Sequence, residues 1–225
     1  MNAGEYDAWY RTPRGRWIGD VEYALLSGML GARRGETLLD IGCGTGYFTR
    51  RFARDAGLAA TGIDIDREWV AYAAARAGDI PFLVGDARRL PFADASFDTA
   101  IAVTSLCFVE EERSAIAEIV RVTRRRFAIG LLNRHSLLFL QKGSAGGKGA
   151  YRGARWHSAS EIRTLFESLP VTDLAIRTAV CCPDGASIAK SLEGIVPQCL
   201  GVGGFIAVAG GTPPFQLRQD HASRH

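Results

Sequence analysis

The stretch that decides the fold is Leu38 to Gly46, which reads LLDIGCGTG. It predicts a short buried strand that carries Asp40 near its end, then glycines at positions 42, 44 and 46, and then a helix. Glycine lets a backbone turn tightly and approach a ligand closely. Such a loop presents a ligand to a helix N-terminus, at the carboxyl ends of the strands where doubly wound sheets bind ligands. The motif therefore predicts an α/β protein with a ligand site at this loop.

Strand and helix patterns alternate on the C-terminal side of the motif. The strands are apolar throughout, and Gly57 and Gly78 stop the first two helices. Strands of this kind are typical of a parallel sheet that is covered on both faces. We therefore predict a Rossmann-like, doubly wound sheet, with strands at Thr37–Ile41, Leu58–Ile63, Ile80–Val84, Phe97–Thr104 and Phe127–Leu132 and helices at Tyr47–Ala56, Arg67–Ala77 and Glu110–Val122.

The flanking regions complete one predicted domain, residues 1–210, and leave a tail at 211–225. Residues 1–35 are predicted to be helical with two breaks. Residues 133–157 are rich in Gly, Lys and Arg and read as a long loop, which in a compact domain is often a functional cover. A helix at Ser158–Leu169, begun by a capping box of Ser158 and Glu161, and strands at Val171–Cys182 and Gly204–Ala209 are predicted to follow.

Composition and charge exclude several classes of protein. The 225 residues are 47% hydrophobic and 23% charged, which rules out wholesale disorder. No run approaches the roughly 20 apolar residues of a membrane span, and the polar N-terminus lacks the apolar core of a secretory signal. The net charge is +3, and the densest basic run, Arg124 to Arg126, reads as a solvated turn. We expect neither a nucleic-acid partner nor a membrane partner.

The five cysteines point to a reducing compartment. Their number is odd and no pair has C-x-x-C spacing, so neither disulfides nor a zinc site are expected. We therefore expect a cytoplasmic protein without a metal site. Cys43, inside the glycine loop, is expected to pack there rather than to act as a nucleophile.

The glycine spacing argues against a dinucleotide as the ligand. The dinucleotide fingerprint is G-x-G-x-x-G, whereas here the third glycine comes one residue early and Tyr47 stands in its place. Asp40, at the strand end, would repel a pyrophosphate and would favour a ligand that carries positive charge. S-adenosylmethionine (AdoMet) carries both an ammonium and a sulfonium group.

Four stretches resemble the class I AdoMet-dependent methyltransferases, in the branch that acts on small molecules. LLDIGCGTG is similar to the first motif of that family, and the others follow as GIDID at 62–66, GDA at 85–87 with LPF at 90–92, and residues 97–105. The family's Pro-Gly-Gly turn before the fifth strand is replaced by three arginines. The resemblance implies a seven-stranded, mostly parallel sheet with an antiparallel last strand and helices on both faces.

The resemblance also implies which residues bind AdoMet. Asp64 ends the second strand and would accept hydrogen bonds from both ribose hydroxyls, and its alternative role as a helix cap suits Asp66 better. Asp86 would meet the adenine amine and Ala87 a ring nitrogen, while the alternative for Asp86 is an Asx turn. The full set of expected cofactor-binding residues is Asp40, Gly42, Cys43, Gly44, Gly46, Asp64, Ile65, Asp86, Ala87, Thr104, Tyr6 and Tyr10.

The two tyrosines belong to an aromatic segment, YDAWY at residues 6–10. Tyr6, Trp9 and Tyr10 share one face of a short helix that Pro13 is predicted to end. This face either packs on the core or forms a lid over AdoMet, as the helix before the first motif does in relatives.

The sequence does not single out a general base for the reaction. A base is needed only where the acceptor atom is protonated. The candidates are His135, His157, Tyr151, Glu110 and, less favoured, Tyr10.

The function predicted from these motifs is AdoMet-dependent methyl transfer to a small organic acceptor, whose identity the sequence does not reveal. Two alternatives stay open: a non-catalytic AdoMet-binding protein and, less favoured, a nicotinamide-dependent oxidoreductase. A homodimer is compatible with this prediction, but the sequence does not decide the oligomeric state.

Overall fold

A computed structural model describes residues 2–182 and 201–214 of the chain. Six α-helices in this part are α1 (Ala3–Trp9), α2 (Pro13–Leu30), α3 (Tyr47–Asp55), α4 (Arg67–Ala74), α5 (Glu112–Val122) and α6 (Ala159–Leu165). Seven strands are β1 (Thr37–Ile41), β2 (Ala59–Asp64), β3 (Phe82–Val84), β4 (Phe97–Val103), β5 (Thr123–Leu132), β6 (Thr172–Ala179) and β7 (Phe205–Gly211).

All seven strands form one sheet in the order β3-β2-β1-β4-β5-β7-β6. The first five pair in parallel, whereas β7 runs antiparallel to both of its neighbours. The predicted sheet, with its antiparallel last strand, is therefore confirmed. The strand order reverses between β1 and β4, which is where an open α/β sheet binds its ligand.

Neighbouring residues of β1 point to opposite faces of the sheet, and each face has its own core. Leu38 packs with Leu26 and Leu30 of α2 and with Phe52 of α3. Leu39 packs on the other face, against the cluster that includes Ile116 of α5. Helices therefore cover both faces, as the uniformly apolar strands predict.

The predicted helix starts are confirmed by their caps. Asp66 accepts from the backbone N–H groups of Glu68 and Trp69, and Ser158 forms its capping box with Glu161. Pro13, however, does not end a helix. It is the first residue of α2, where a missing N–H costs nothing, and α1 already ends at Trp9.

Three further expectations are corrected by the structure. Gly31, with φ of 58°, ends α2 before the predicted stop at Gly35. The run Arg124–Arg126 is not a turn but part of β5, where Arg126 pairs with Thr99 of β4 and Gly211 of β7, and Arg124 and Arg125 form ion pairs with Asp98 and Glu36. The tail does not begin at residue 211, since β7 includes Gly211 and buried Thr212 bonds the carbonyl of Thr123.

The predicted connection after Cys182 and the end of the tail lie mostly outside the described residues, as does Cys199. The long loop at 133–157 contains short helical turns at Phe139–Gly143, Ser144–Gly146 and Gly149–Tyr151. None of the described helices is long and apolar enough to cross a membrane.

Candidate active site

The glycine loop joins β1 to α3 in a conformation that its three glycines make accessible. Gly42, Gly44 and Gly46 have φ angles of 69°, 54° and 75°, which other residues rarely adopt. Gly42 also lacks room for a side chain, because a Cβ there would lie 2.2 Å from Cβ of Ser105. Ser105 follows β4, so the loop is packed directly against the end of the neighbouring strand.

Asp40 lies beneath this loop, almost completely buried. Its Oδ2 accepts a hydrogen bond of 2.6 Å from the hydroxyl of Thr49 in α3. Burial raises the pKa of Asp40 to about 7; the hydrogen bond from Thr49 opposes this rise and the charge of Asp64 adds to it. A buried carboxyl that titrates near neutrality is suited to a cationic ligand group, which would stabilise its charged form.

Asp64, at the end of β2, holds the glycine loop from the other side. Its Oδ2 accepts from the N–H of Gly44 at 2.7 Å and its Oδ1 from the N–H of Asp66 at 3.0 Å. Each carboxylate oxygen has a second lone pair, so both can still accept from a diol. The neighbouring Ile65 is 67% exposed although it is apolar, and both residues border the cavity described below.

Asp86 forms an Asx turn, which the sequence analysis gave as the alternative to adenine binding. Its Oδ1 accepts from the backbone N–H of Arg88 at 2.9 Å, and its carboxylate also pairs with the Arg88 guanidinium at 2.7 Å. These hydrogen bonds, the side-chain one first, lower the pKa of Asp86. Asp86 and Ala87 nevertheless border the same cavity as Asp64, so the turn does not remove the group from the site.

Cys43 is buried in the loop, and burial raises the pKa of its thiol far above the usual range. A thiol in this state is a poor nucleophile. This environment agrees with a packing role.

The aromatic segment of α1 lies against the loop. Tyr10 stacks on Tyr47 of α3 with ring centres 3.8 Å apart, and Tyr6 packs on Trp69 of α4 at 5.1 Å. The two tyrosine hydroxyls are 3.3 Å apart. The segment therefore packs on the core through Tyr10 and reaches the site through both rings.

An arginine ties this segment to the loop as well. Arg50 of α3 donates to Asp7 of α1 at 3.0 Å and to the carbonyl of Thr45 at 2.6 Å. Asp7 is 8% exposed, so this ion pair is screened less than a surface pair. The position of α1 is thus linked to the conformation of the glycine loop.

These groups surround a cavity of about 680 Å³ at the carboxyl ends of the strands. Every expected cofactor-binding residue except Gly46 lines this cavity. Other lining residues include Thr45, Trp69, Ser105, Phe108, Glu110 and Ala150. Gly46 instead starts α3, and a Cβ there would lie 2.7 Å from the ring of Phe82.

A second cavity of about 290 Å³ adjoins the first behind the aromatic segment. Five residues line both cavities: Tyr6, Tyr10, Thr104, Phe108 and Ala150. Among the other lining residues are Glu22 of α2 and Lys142, Lys148 and Tyr151 from the long loop, so part of this loop borders the site region.

The structure separates the candidate bases. His157 is buried and pairs with Glu112 of α5 at 2.9 Å, and His135 is exposed; neither borders the two cavities. Both histidines therefore lie outside the two cavities. Glu110 lines the first cavity and Tyr151 the second.

Sequence reasoning missed Glu22. It lies on the buried face of α2 at helical spacing from Ile18, Leu25, Leu26 and Met29. A lone carboxylate on an otherwise apolar helix face is the signal that could have found it. In the described part of the chain, no group of three or more His, Cys, Asp or Glu side chains is placed to hold a metal ion.

Comparisons with known proteins agree with this geometry. A family model described as a methyltransferase domain matches residues 39–127. The malonyl-[acyl-carrier protein] O-methyltransferase of Serratia marcescens is 31% identical over 86% of this chain and 74% of its own length. The O-methyltransferase cnsE of Penicillium expansum is 41% identical over 48% of this chain. The match spans only 41% of that relative, and only 45% and 38% of two similar O-methyltransferases from Aspergillus.

Solved structures with a similar fold also include a methyltransferase. A methyltransferase from Thermotoga maritima, described as a possible histamine N-methyltransferase, superposes with a TM-score of 0.72 at 24% identity, over 93% of this chain and 96% of that one. The sheet and the glycine-loop site define a class I AdoMet-binding α/β protein. The chain belongs to the class I AdoMet-dependent methyltransferases, and the resemblance stated from its motifs is confirmed.

Proposed function

We propose that this chain transfers a methyl group from AdoMet to a small organic acceptor held in the second cavity. The observation that carries the proposal is the pair of adjoining cavities. The first is built from the family's glycine loop and strand-end carboxylates, and the second opens beside it at Tyr6, Tyr10 and Thr104. Its relatives include enzymes named as O-methyltransferases.

The residues of the first cavity fit AdoMet. Asp40 would hold the ammonium group, Asp64 the ribose hydroxyls, and Asp86 with Ala87 the adenine, while Ile65 offers apolar surface beside them. Gly42 and Gly44 line the cavity without side chains, so the loop backbone can approach the ligand closely. AdoMet, when bound, supplies an electrophilic methyl group on a sulfonium.

The tyrosines of α1 would act as a lid. They stand between the two cavities and pack on α3 and α4, so they would exclude water from the point of transfer. Aromatic faces also attract a cationic sulfonium. This supports the lid hypothesis beside the packing role that Tyr10 visibly has.

Much of the rate can come from alignment alone. Holding donor and acceptor in line at short distance replaces a bimolecular encounter with an intramolecular one. The residues shared by both cavities, Thr104 and Phe108 among them, lie where such alignment would be set.

The test combines binding with turnover. Calorimetry should show that AdoMet and S-adenosylhomocysteine bind, and S-adenosylhomocysteine should accumulate when AdoMet is supplied with a suitable acceptor. A protein that binds AdoMet but forms no S-adenosylhomocysteine with any acceptor would favour the non-catalytic alternative. A protein that binds NADH, seen by its fluorescence, but not AdoMet would favour the oxidoreductase, which none of the relatives reported above supports.

We also propose a cytoplasmic location for the protein. The buried residues Cys43 and Cys107 are free thiols, which supports a reducing compartment. Localisation of the tagged chain by cell fractionation tests this.

A further inference from the structure

The second cavity contains one buried carboxyl group whose role the fold does not explain. Glu22 is 9% exposed and lines this cavity from α2. Within residues 2–182 and 201–214 it has neither a hydrogen bond nor an ion pair. Burial raises the pKa of its carboxyl group. Burying a carboxyl without a partner costs free energy. Among the described residues its carboxyl therefore lies at the cavity without a protein partner, where a bound molecule can contact it.

We propose that Glu22 is the general base of this site and that the acceptor is a largely apolar molecule with a weakly acidic hydroxyl group, a phenol or an enol. The inference rests on the proposed methyl transfer. The acceptor's O–H bond breaks and its proton passes to the Glu22 carboxylate. The acceptor oxygen forms a bond to the methyl carbon while the bond from that carbon to sulfur breaks, and that electron pair stays on sulfur.

The acid strength of Glu22 suits this role. Burial raises its pKa to about 8, so near neutral pH the group can both accept and release a proton. Tyr151, in the same cavity, has its pKa raised to about 12 by burial first and then by the charge of Glu22. Tyr6 and Tyr10 also have raised pKa values, chiefly through burial. The hydroxyl groups of these three tyrosines therefore stay protonated in the pH range where Glu22 titrates.

The charges around the cavity argue for a hydroxyl rather than an amine. Arg14, Lys142 and Lys148 line the same cavity and are exposed, so they place three positive charges near its opening. These charges oppose entry of an ammonium ion, and a carboxylic acid, already ionised at neutral pH, would need no base. A phenol, with a pKa of about 10, does need one.

The residues that line the second cavity indicate the polarity and size of the acceptor. They include Trp9, Ile18, Leu132, Leu138, Val180 and Phe205, all apolar. At about 290 Å³ the cavity is small for a ligand site, and it accommodates a compact aromatic molecule. The chemical class is thus a small aromatic or enolic compound.

The first experiment measures Glu22 directly, without turnover. In protein labelled with carbon-13 at the glutamate carboxyl carbon, the Glu22 signal is identified by its loss in Glu22→Gln. Its midpoint is expected near pH 8, and saturating p-cresol should shift it. A midpoint near the usual glutamate value of about 4.3 would overturn the proposal, and so would a signal that p-cresol leaves unchanged.

The second experiment measures S-adenosylhomocysteine formed from AdoMet with phenol, p-cresol or catechol, and with benzylamine as the amine probe. Glu22→Gln should lower kcat by about 100- to 10,000-fold, while calorimetry finds S-adenosylhomocysteine affinity within about twofold of wild type. Glu22→Asp, which keeps a carboxylate, should retain more activity than Glu22→Gln. Glu167→Gln, the same change at an exposed glutamate outside both cavities, should leave kcat unchanged.

The outcomes are distinguishable. Turnover of the phenols that is insensitive to Glu22→Gln overturns the role of Glu22. Turnover of benzylamine alone, or none with the three phenols in a protein that binds AdoMet, overturns the acceptor class. A wild-type protein that does not bind AdoMet at all contradicts instead the proposed function on which this inference rests.

Discussion

Replacing Asp40 by asparagine is expected to abolish the pH dependence of AdoMet binding between pH 6 and pH 7. The wild-type carboxyl is buried beneath the glycine loop and has its pKa raised to about 7. A bound ammonium group favours the ionised carboxylate and lowers that pKa, so binding releases a proton at acidic pH. Affinity should therefore rise as the pH rises towards 7.

The size of the effect follows from the fraction of protein with Asp40 ionised. With a pKa of about 7, roughly one molecule in eleven has the charged carboxyl at pH 6 and one in two at pH 7. Because only the ionised form binds well, apparent affinity should increase about fivefold over this unit. The window stays below the pKa of an α-amino group, about 7.7 to 8.0, so the ligand keeps its charge.

Isothermal titration calorimetry measures both consequences. Affinity for S-adenosylhomocysteine is determined at pH 6 and pH 7, and titrations at pH 6 in buffers of different ionisation enthalpy count the released proton. The Asp40→Asn variant should bind more weakly at pH 7, with an affinity that is flat between pH 6 and pH 7. At pH 6, binding to this variant should release fewer protons than binding to wild type at the same pH.

A second variant separates Asp40 from other titrating groups. The hydroxyl of Thr49 donates to Asp40 at 2.6 Å and lowers its pKa, and Thr49→Val keeps the shape of this buried residue without the donor. The rise in affinity should then shift to higher pH. The reasoning is refuted if wild-type affinity is constant from pH 6 to pH 7, or if Asp40→Asn retains the wild-type slope.

Four other changes have defined outcomes. Asp64→Ala should weaken AdoMet and S-adenosylhomocysteine about 10- to 150-fold by calorimetry; unchanged affinity would remove the ribose assignment. Deleting residues 2–11, which removes α1, should leave a folded protein by circular dichroism that binds AdoMet at least about tenfold more weakly; loss of folding would instead assign the segment to the core. Gly42→Ala should lower the Tm and the affinity for AdoMet, because its Cβ would lie 2.2 Å from Cβ of Ser105; a wild-type Tm would contradict the packing described. Glu22→Gln should stabilise the fold above about pH 4.5, because the raised pKa makes the contribution of Glu22 to stability fall as pH rises from about 4.5 to about 8. In urea denaturation, the gain in the free energy of unfolding over wild type should be near zero at pH 4 and at most about 5 kcal/mol at pH 8, and an equal gain at both pH values would refute the prediction.

The corrections to the sequence predictions share a physical cause. Arg124 to Arg126 look like a solvated turn because three adjacent charges favour water, yet they extend β5 because the backbone of Arg126 pairs with β4 and β7, while Asp98 and Glu36 pair with the charges of Arg124 and Arg125. Pro13 looks like a helix end, yet it begins α2 because the chain had already turned at Trp9. In each case partners or turns elsewhere in the chain override a local preference.

The sequence by itself determined the sheet and the glycine-loop end of the candidate site. The loop LLDIGCGTG and the carboxylates Asp40, Asp64 and Asp86 could be read directly, because glycine conformation and strand periodicity are local properties and the ends of parallel strands converge at one edge. Apolar strands on both sides of the motif likewise required helices on both faces.

Only the tertiary structure decided which groups line the second cavity. His157 looked like a base, but it turns away to pair with buried Glu112. Glu22 looked like one charged residue in a helix, but the packing of α2 on the sheet carries it into the second cavity, where burial changes its acid strength. Orientation and burial depend on contacts between residues far apart in the chain, and no local pattern contains them.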